Sequence, residues 1–139
     1  MIAAIVIPAF DLRAALRLHP ALEAVPAALA PLPGTEPLVG SVTAAAEVKG
    51  VRPGMRLGEA LATCPGLQLV EQDPATAEQS WEEVLRRLED AGFAVEPAEA
   101  GTVFFESKGV ERLYGGLEPA LKRALHAVGS MWDPRAGAA

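Results

Sequence analysis

The sequence has 139 residues, half of them apolar, and a formal net charge of −6. This length supports one hydrophobic core, or one core with a small lobe, and excludes two large domains. The acidic balance argues against a free-standing binder of nucleic-acid phosphates, because such proteins usually carry a basic face. Cys64 is the only cysteine, which excludes an intrachain disulfide and a cysteine-based metal site and favours a reducing, cytoplasmic compartment.

The chain opens with a continuous apolar run, residues 1–7, that is rich in Ile and Val. This pattern predicts a central β-strand covered on both faces. The run lacks a positively charged start and meets Pro8 too early for a signal peptide or a membrane span. Residues 11–18 have apolar side chains at helical spacing, and Asp11 is alternatively the N-cap of that helix.

The middle of the chain alternates short elements with turns that contain Pro and Gly. The pattern predicts strands at residues 25–30, 38–43 and 67–71, and short helices at residues 44–49 and 57–64. Such a succession of small elements is typical of a lobe with short connections.

The second half contains the longest predicted helix, residues 74–92, with Asp73 as its N-cap. Two strands are predicted at residues 93–97 and 102–106, around a bend. A final helix at residues 117–128 is followed by a loop-like tail, residues 129–139. The whole pattern predicts a mixed α/β chain, a class that by itself says little about function.

Three stretches carry a resemblance to a known family. They are Ile-Val-Ile-Pro-Ala-Phe at residues 5–10, Gly-Val-Arg-Pro-Gly-Met at residues 50–55 with Cys-Pro-Gly-Leu at residues 64–67, and Val-Glu-Pro-Ala-Glu-Ala-Gly at residues 95–101 with Val-Glu-Arg-Leu-Tyr-Gly at residues 110–115. In this order and at these distances they resemble the N-terminal third of the Y-family (translesion) DNA polymerases. The third stretch is most similar to the ImuB-like, non-catalytic branch.

The resemblance implies an α/β (α+β) fold, with a mixed β-sheet palm, helices on one face of it and a small fingers subdomain. It assigns residues 1–20 to the first palm strand and helix, residues 21–72 to the fingers and residues 73–129 to the second part of the palm. Residues 130–139 form a tail at a probable truncation point. The palm sheet is then expected to lack a strand and to expose an edge through which the chain self-associates.

The resemblance also locates the metal site of active family members, where carboxylates hold two divalent ions. The first aspartate position falls on Val6 and the next on Pro8, and the adjacent Asp-Glu pair falls on Gly101 and Thr102. None of these side chains offers a carboxylate. The interpretation is a lost metal site without catalytic residues, and no cofactor is expected.

Two fingers positions that contact the incoming triphosphate in active members fall on Ala44 and Glu47. A glutamate repels a triphosphate, so this site is also interpreted as lost. Lys49, Arg52 and Arg56 form the tightest basic cluster, and they are either possible phosphate contacts or a solvated loop.

The leading hypothesis is an inactive Y-family homologue (ImuB-like) that serves DNA repair and damage-induced translesion mutagenesis, as in an SOS response, as a scaffold or DNA-binding module. Implied partners are DNA, bound weakly by this part alone, a mutasome-type accessory protein, an error-prone polymerase and a sliding clamp. One alternative is an active nucleotidyltransferase with a rearranged metal site at Asp11, Glu99 or Glu106. Another is a small α/β protein-interaction domain.

Overall fold

The computed structural model describes residues 1–138 and confirms the α/β (α+β) fold class. Within this range the helices are α1 (Phe10–Leu16), α2 (Ala44–Val48), α3 (Leu57–Thr63), α4 (Pro74–Asp90), α5 (Ser107–Tyr114) and α6 (Leu117–Val128). The strands are β1 (Ile2–Val6), β2 (Ala27–Leu29), β3 (Gln68–Val70), β4 (Val95–Glu99), β5 (Thr102–Glu106) and β6 (Arg135–Ala138). Single 3-10 turns lie at Pro20–Leu22 and Ser130–Trp132.

The chain divides into two compact units. Unit 1 comprises Met1–Phe10 and Glu78–Ala139, and unit 2 comprises Asp11–Ala77. The boundaries predicted from the sequence were 20/21, 72/73 and 129/130, whereas the units change at 10/11 and 77/78. The assignment of these parts to palm and fingers stays a prediction.

Unit 1 is built on a four-stranded sheet in the order β4-β5-β1-β6, and every neighbouring pair is antiparallel. The central position predicted for β1 is therefore correct. The prediction that both faces of β1 are covered is wrong. Ala3 and Ile5 are fully buried, whereas Ile2 and Val6 are 53% and 39% exposed. A run of apolar residues contains no polar alternation that would reveal the open face, so the sequence pattern could not distinguish the two cases.

The tail of unit 1 corrects one further prediction. Residues 129–139 were expected to be loop-like, but β6 pairs with β1 from Ala3 opposite Ala138 to Val6 opposite Arg135. That the palm sheet lacks a strand stays a prediction. Trp132, just before β6, is buried against Phe10 with ring centroids 4.9 Å apart. These non-local contacts, rather than local propensity, order the tail.

Helix α5 was missed by the sequence analysis, while α6 has the predicted bounds. The side chain of Glu106 caps the start of α5 by accepting a hydrogen bond from the Lys108 amide, and Gly115 ends it in the left-handed conformation. Only two turns separate these caps, and Gly109 lies between them. The helical period is too short there to stand out from the sequence.

Unit 2 holds a parallel pair of strands, β2 and β3, and two small apolar clusters. The strand predicted at residues 38–43 is not formed. That segment makes isolated antiparallel bridges, Ala28 with Val42 and Leu38 with Arg56. It also shares three backbone hydrogen bonds with β2: the Leu29 amide donates to the Ser41 carbonyl, the Gly40 amide to the Leu29 carbonyl and the Thr43 amide to the Ala27 carbonyl. The segment therefore runs alongside β2, where an added Cβ at Gly40 would lie 3.0 Å from the Leu29 Cβ, without forming a regular strand.

Thr43 connects β2 to α2 in unit 2. Its buried hydroxyl donates to the Val25 carbonyl (2.8 Å), accepts from the Ala27 amide (3.0 Å) and caps α2 through the Ala46 amide (3.3 Å). Replacing Thr43 with Val keeps the shape but leaves these groups without a partner. We expect the free energy of unfolding to fall by about 1–2 kcal/mol.

Urea denaturation of Thr43→Val and Thr43→Ser tests this expectation. Thr43→Ser retains the hydroxyl, so its free energy of unfolding is expected to fall less than that of Thr43→Val. Equal losses in the two variants would mean that packing of the methyl group, and not the hydrogen bonds, carries the contribution of Thr43.

Candidate functional site

The residues predicted to mark the lost metal site lie together at one end of the unit 1 sheet. Val6, the last residue of β1, is directly opposite Thr102, the first residue of β5. The Ile7 amide donates a 2.7 Å hydrogen bond to the Gly101 carbonyl, which fixes the β4–β5 turn against the end of β1. Pro8 begins the turn that leads into α1 and supplies no oxygen ligand from its side chain.

Gly101 occupies a position that no other residue type fits well. Its φ is +95°, in the left-handed region, and it is buried. A Cβ added there would lie 2.9 Å from the Phe10 Cβ and 3.0 Å from the Ile7 carbonyl oxygen. Real Cβ atoms essentially never approach another atom as closely as the 2.9 Å to Phe10, and the 3.0 Å to the Ile7 backbone oxygen is unusually tight. An aspartate at this position is therefore strained unless these neighbours shift.

A single row of residues crosses the sheet at this end. Glu99 of β4 pairs with Thr102 after a bulge, Thr102 pairs with Val6, and Val6 pairs with Arg135 of β6. The row thus contains one carboxylate at one edge, a hydroxyl and an isopropyl group in the middle, and a guanidinium at the other edge. Arg135 makes a 3.1 Å ion pair with Asp133, and both side chains are well exposed.

The other acids considered from the sequence have partners of their own. Glu106 accepts hydrogen bonds from the N-terminal ammonium (2.9 Å) and the Lys108 amide, and these bonds hold the pKa of its carboxyl below the ordinary value. Asp11 accepts from its neighbouring Leu12 amide and from the Ser41 hydroxyl in unit 2. Among residues 1–138, no three His, Cys, Asp or Glu side chains are grouped as metal ligands would be.

The predicted triphosphate and phosphate residues lie in unit 2. Ala44 is the first residue of α2 and Glu47 is one turn further on, both exposed. Arg52 does not point freely to solvent, because its guanidinium donates to the Glu47 and Val51 carbonyls at the end of α2. Lys49 and Arg56 are exposed, at the end of α2 and just before α3.

Sequence reasoning missed the part that Arg135 plays in this row. It lay in a segment expected to be a loop, and nothing local to it indicates that it faces Val6 across a strand pair. The aromatic contacts behind the row were also missed: Phe10 packs edge-on against Trp81 (5.2 Å) and stacks on Trp132. The only signal was the presence of Trp132 in a segment that otherwise has loop composition.

The chain has an antiparallel sheet with its first strand in the middle, a hairpin that ends beside that strand, and a second unit of similar size inserted after it. This is a Y-family DNA polymerase-like domain. The chain belongs to the impB/mucB/samB family, whose model matches residues 5–129. This match bears out the Y-family resemblance found in the sequence.

Solved structures show the same fold at low identity. DinB from Sulfolobus solfataricus is 18% identical with a TM-score of 0.80, over 99% of this chain and 42% of that chain. The insertion ternary complex of Dbh DNA polymerase is 19% identical with a TM-score of 0.83, over 100% of this chain and 42% of that chain. The post-insertion binary complex of Dbh DNA polymerase is 18% identical, with the same TM-score and the same two coverages.

This chain thus spans about two fifths of the length of the polymerases it matches. The search of curated proteins found no match. None of the helices within residues 1–138 combines the length and the apolar character that crossing a bilayer requires.

Proposed function

We propose that this chain is the palm-and-fingers part of a Y-family homologue that does not synthesise DNA. It would serve DNA damage tolerance as a scaffold or DNA-binding module of the ImuB-like kind. The observation that carries the proposal is the end of the unit 1 sheet, where Val6, Gly101 and Thr102 stand where active family members are expected to hold metal ions.

The charge at this end of the sheet opposes a pair of divalent ions. Two such ions about 4 Å apart need several carboxylate oxygens to offset their mutual repulsion and the loss of their water. The row from Glu99 to Arg135 offers one carboxylate and one guanidinium, so its formal charge is zero. Arg135 has its own counter-ion in Asp133, so the row supplies Glu99 as its one carboxylate to a metal ion.

The backbone supports the same conclusion independently of charge. Gly101 has a positive φ and close neighbours around an added Cβ, so an aspartate at this position is strained. The loss of the carboxylate is thus accompanied by a local conformation that only glycine adopts without strain.

The alternative metal site at Asp11, Glu99 and Glu106 has less support. Glu106 is held by the N-terminal ammonium and an amide, and Asp11 by Ser41 and an amide. A carboxylate can accept a hydrogen bond and bind an ion together, but within residues 1–138 no three metal-ligating side chains are grouped around either acid. In unit 2, the exposed Glu47 near the proposed triphosphate position also disfavours a nucleotide.

The remaining parts of the proposal concern partners and location. We place the protein in the cytoplasm, where the buried thiol of Cys64 stays reduced. DNA contact by this part is proposed to be weak, through Lys49 and Arg56 together with domains outside this chain. An accessory protein, an error-prone polymerase and a sliding clamp are the proposed partners, and the edge formed by β4 is a proposed contact for self-association.

Primer extension tests the central claim. The longest protein that contains this chain is expected to add no nucleotide to a primed template with either Mg²⁺ or Mn²⁺, while an active Y-family polymerase at equal concentration extends the primer. The reason is that no carboxylate pair is present to bind the metal ions.

The control separates catalysis from contamination. A contaminating polymerase would give the same trace of primer extension in the wild-type protein and in the Val6→Ala variant. Templated incorporation that co-purifies with the protein and disappears in Glu99→Gln or Asp11→Asn would refute the proposal that the protein is inactive. It would favour the alternative with a rearranged metal site.

A further inference from the structure

One face of the unit 1 sheet is open to solvent, and its centre is apolar. Alternate residues of β1 and β5 point to this face, and among them Ile2, Val6 and Phe104 are 53%, 39% and 40% exposed. The residues that alternate with them point to the opposite face and are buried. The solvated face of an antiparallel sheet is ordinarily polar. An exposed apolar centre therefore needs another explanation, and such patches mark interaction sites.

The exposed apolar side chains form one patch. Ala4 lies opposite Phe104, so Phe104 is diagonal to both Ile2 and Val6 on the neighbouring strand. At that separation an aromatic side chain reaches its neighbours. On the other side of Ala4 lies Gly137 of β6, where an added Cβ would meet no atom within 4 Å. The two small residues leave a shallow depression between larger apolar side chains. We call Ile2, Ala4, Val6 and Phe104 the open-face patch.

Two of the charged side chains around the open-face patch are already compensated. Glu106, at the far end of β5, pairs with the N-terminal ammonium at 2.9 Å and lies near the charge of Lys108. Arg135, on β6, pairs with Asp133 at 3.1 Å. These groups therefore add neither a free negative charge nor a free positive charge to the face.

The β4 side of the face keeps two carboxylates without partners. Glu96 lies opposite Phe104, and Glu99 pairs with Thr102 after the bulge. Both glutamates are exposed, and neither makes a hydrogen bond or an ion pair with another residue in the range 1–138. After the ion pairs are counted, the open face thus combines an apolar centre with a negative charge along one side.

We propose that the open-face patch binds an amphipathic helix of a partner protein, with lysine or arginine along one flank of its apolar stripe. The apolar stripe packs on Phe104 and into the depression at Ala4, as helices cover sheet faces within domains. The basic flank lies over Glu96 and Glu99, and this charge complementarity fixes the orientation of the helix. The inference rests on the proposed function in one respect, because Val6 belongs to the row where metal ions are proposed to be absent.

The same charges disfavour two other occupants. A nucleic-acid backbone would bring its phosphates towards Glu96 and Glu99, and the paired Arg135 offers no free cation in return. A second copy of this chain would present another face with two unpaired carboxylates. A cationic helix is the occupant that both the apolar centre and the acidic side favour.

Selection from a library of helical peptides of about 15 residues, or four turns, tests the proposal. The 139-residue chain is the target, and EDTA is present throughout. Selected peptides are expected to combine an apolar stripe at helical spacing with a net positive charge, and to bind saturably. In a 15N NMR titration they are expected to shift the amide resonances of residues 2–6 and 102–106.

Phe104→Ser tests the apolar centre of the face. It is expected to weaken the affinity for the selected peptides roughly tenfold, because it removes the largest apolar side chain of the patch. Leu113 provides the matched control, since it is 63% exposed but lies on α5, outside the sheet. Leu113→Ser is expected to change the affinity less than about twofold.

Glu96→Lys tests the acidic side of the face. The charge reversal is expected to weaken the affinity roughly tenfold, because it replaces an attraction with a repulsion. Glu89→Lys makes the same change at an exposed position of α4 and is expected to alter the affinity less than about twofold. Melting curves verify that all four variants are folded.

Four outcomes overturn the proposal. They are a selection without enrichment of basic and apolar residues, and equal effects of a variant and its matched control. The others are a primed DNA duplex, and not the peptides, shifting residues 2–6 in a Phe104-dependent way, and a dimer in sedimentation that Phe104→Ser dissociates. Primer extension bears on the proposed function alone. Absence of peptide binding in a protein that extends no primer contradicts this inference alone.

Discussion

Replacing Gly101 with aspartate is expected to destabilise unit 1 by roughly 2–5 kcal/mol and to create no metal site. The left-handed backbone contributes about 1–2 kcal/mol for a residue with a Cβ. The approach of that Cβ to the Phe10 Cβ and the Ile7 carbonyl adds an overpacking strain of about 1–3 kcal/mol. Part of the strain is relieved only if the β4–β5 turn moves and the Ile7–Gly101 hydrogen bond is lost.

Hydrogen exchange of the β1 and β5 amides measures this loss, because it reports on unit 1 without assuming that both units unfold together. Gly109→Asp is the control with the same change of residue. Gly109 lies in α5 with ordinary φ and open space around the added Cβ, and an acid in the first turn of a helix is favourable. Equal stability of Gly101→Asp and wild type would show that the turn adapts freely.

The same reasoning extends to a reconstructed site. A variant that restores all three acids, Val6→Asp with Gly101→Asp and Thr102→Glu, supplies the carboxylates that two divalent ions require. It keeps Arg135 beside them and adds the strain at position 101. Binding of two Mn²⁺ ions by this variant without loss of stability would contradict the view that the backbone has adapted to glycine.

Much of the fold could be predicted because its signals are local. Asp73 and Pro74 begin α4, where the Thr76 hydroxyl and amide donate to the Asp73 carboxylate and hold its pKa below the ordinary value. Trp81, Val84 and Leu88 form the buried stripe of the same helix. Caps and periodicity of this kind depend on residues a few positions apart, so the sequence contains them directly.

The wrong predictions of strands arise where the structure depends on non-local contacts. β6 consists of Arg, Ala, Gly and Ala, which have little strand propensity, and it exists because β1 offers a free edge. The segment at residues 38–43 has the composition of a strand and runs antiparallel to β2, but its bridges and backbone hydrogen bonds do not form a continuous ladder. In both cases pairing between distant residues decides the outcome, and no local pattern reports it.

The candidate site was predictable in part for the same reason. Family resemblance placed Val6 and Thr102 in one site, and the β1–β5 pairing brings them together. The steric demand at Gly101 depends on Phe10 and Ile7, which are distant in sequence, and Arg135 joins the row through β6. The sequence therefore predicted which residue types lie at the site. The strain at Gly101 and the charge pattern of the row depend on three-dimensional contacts and could not be predicted from it.

Trp132→Ala is expected to be the most destabilising substitution considered, with a loss of about 3–5 kcal/mol in unit 1. Trp132 is 2% exposed and stacks on Phe10, which in turn packs edge-on against Trp81. Removal of the indole leaves a cavity beside Phe10, which loses its stacking partner. Because β6 begins three residues later, its pairing with β1 is expected to weaken as well.

Met131 provides the control for this substitution. It is adjacent in the same turn but 51% exposed, so Met131→Ala is expected to change the stability by no more than about 0.5 kcal/mol. Hydrogen exchange of the β6 and β1 amides should then show fast exchange in Trp132→Ala and near wild-type protection in Met131→Ala. If both variants keep β6 protected, the aromatic contact does not anchor the tail, and the edge of β1 alone must be sufficient to order it.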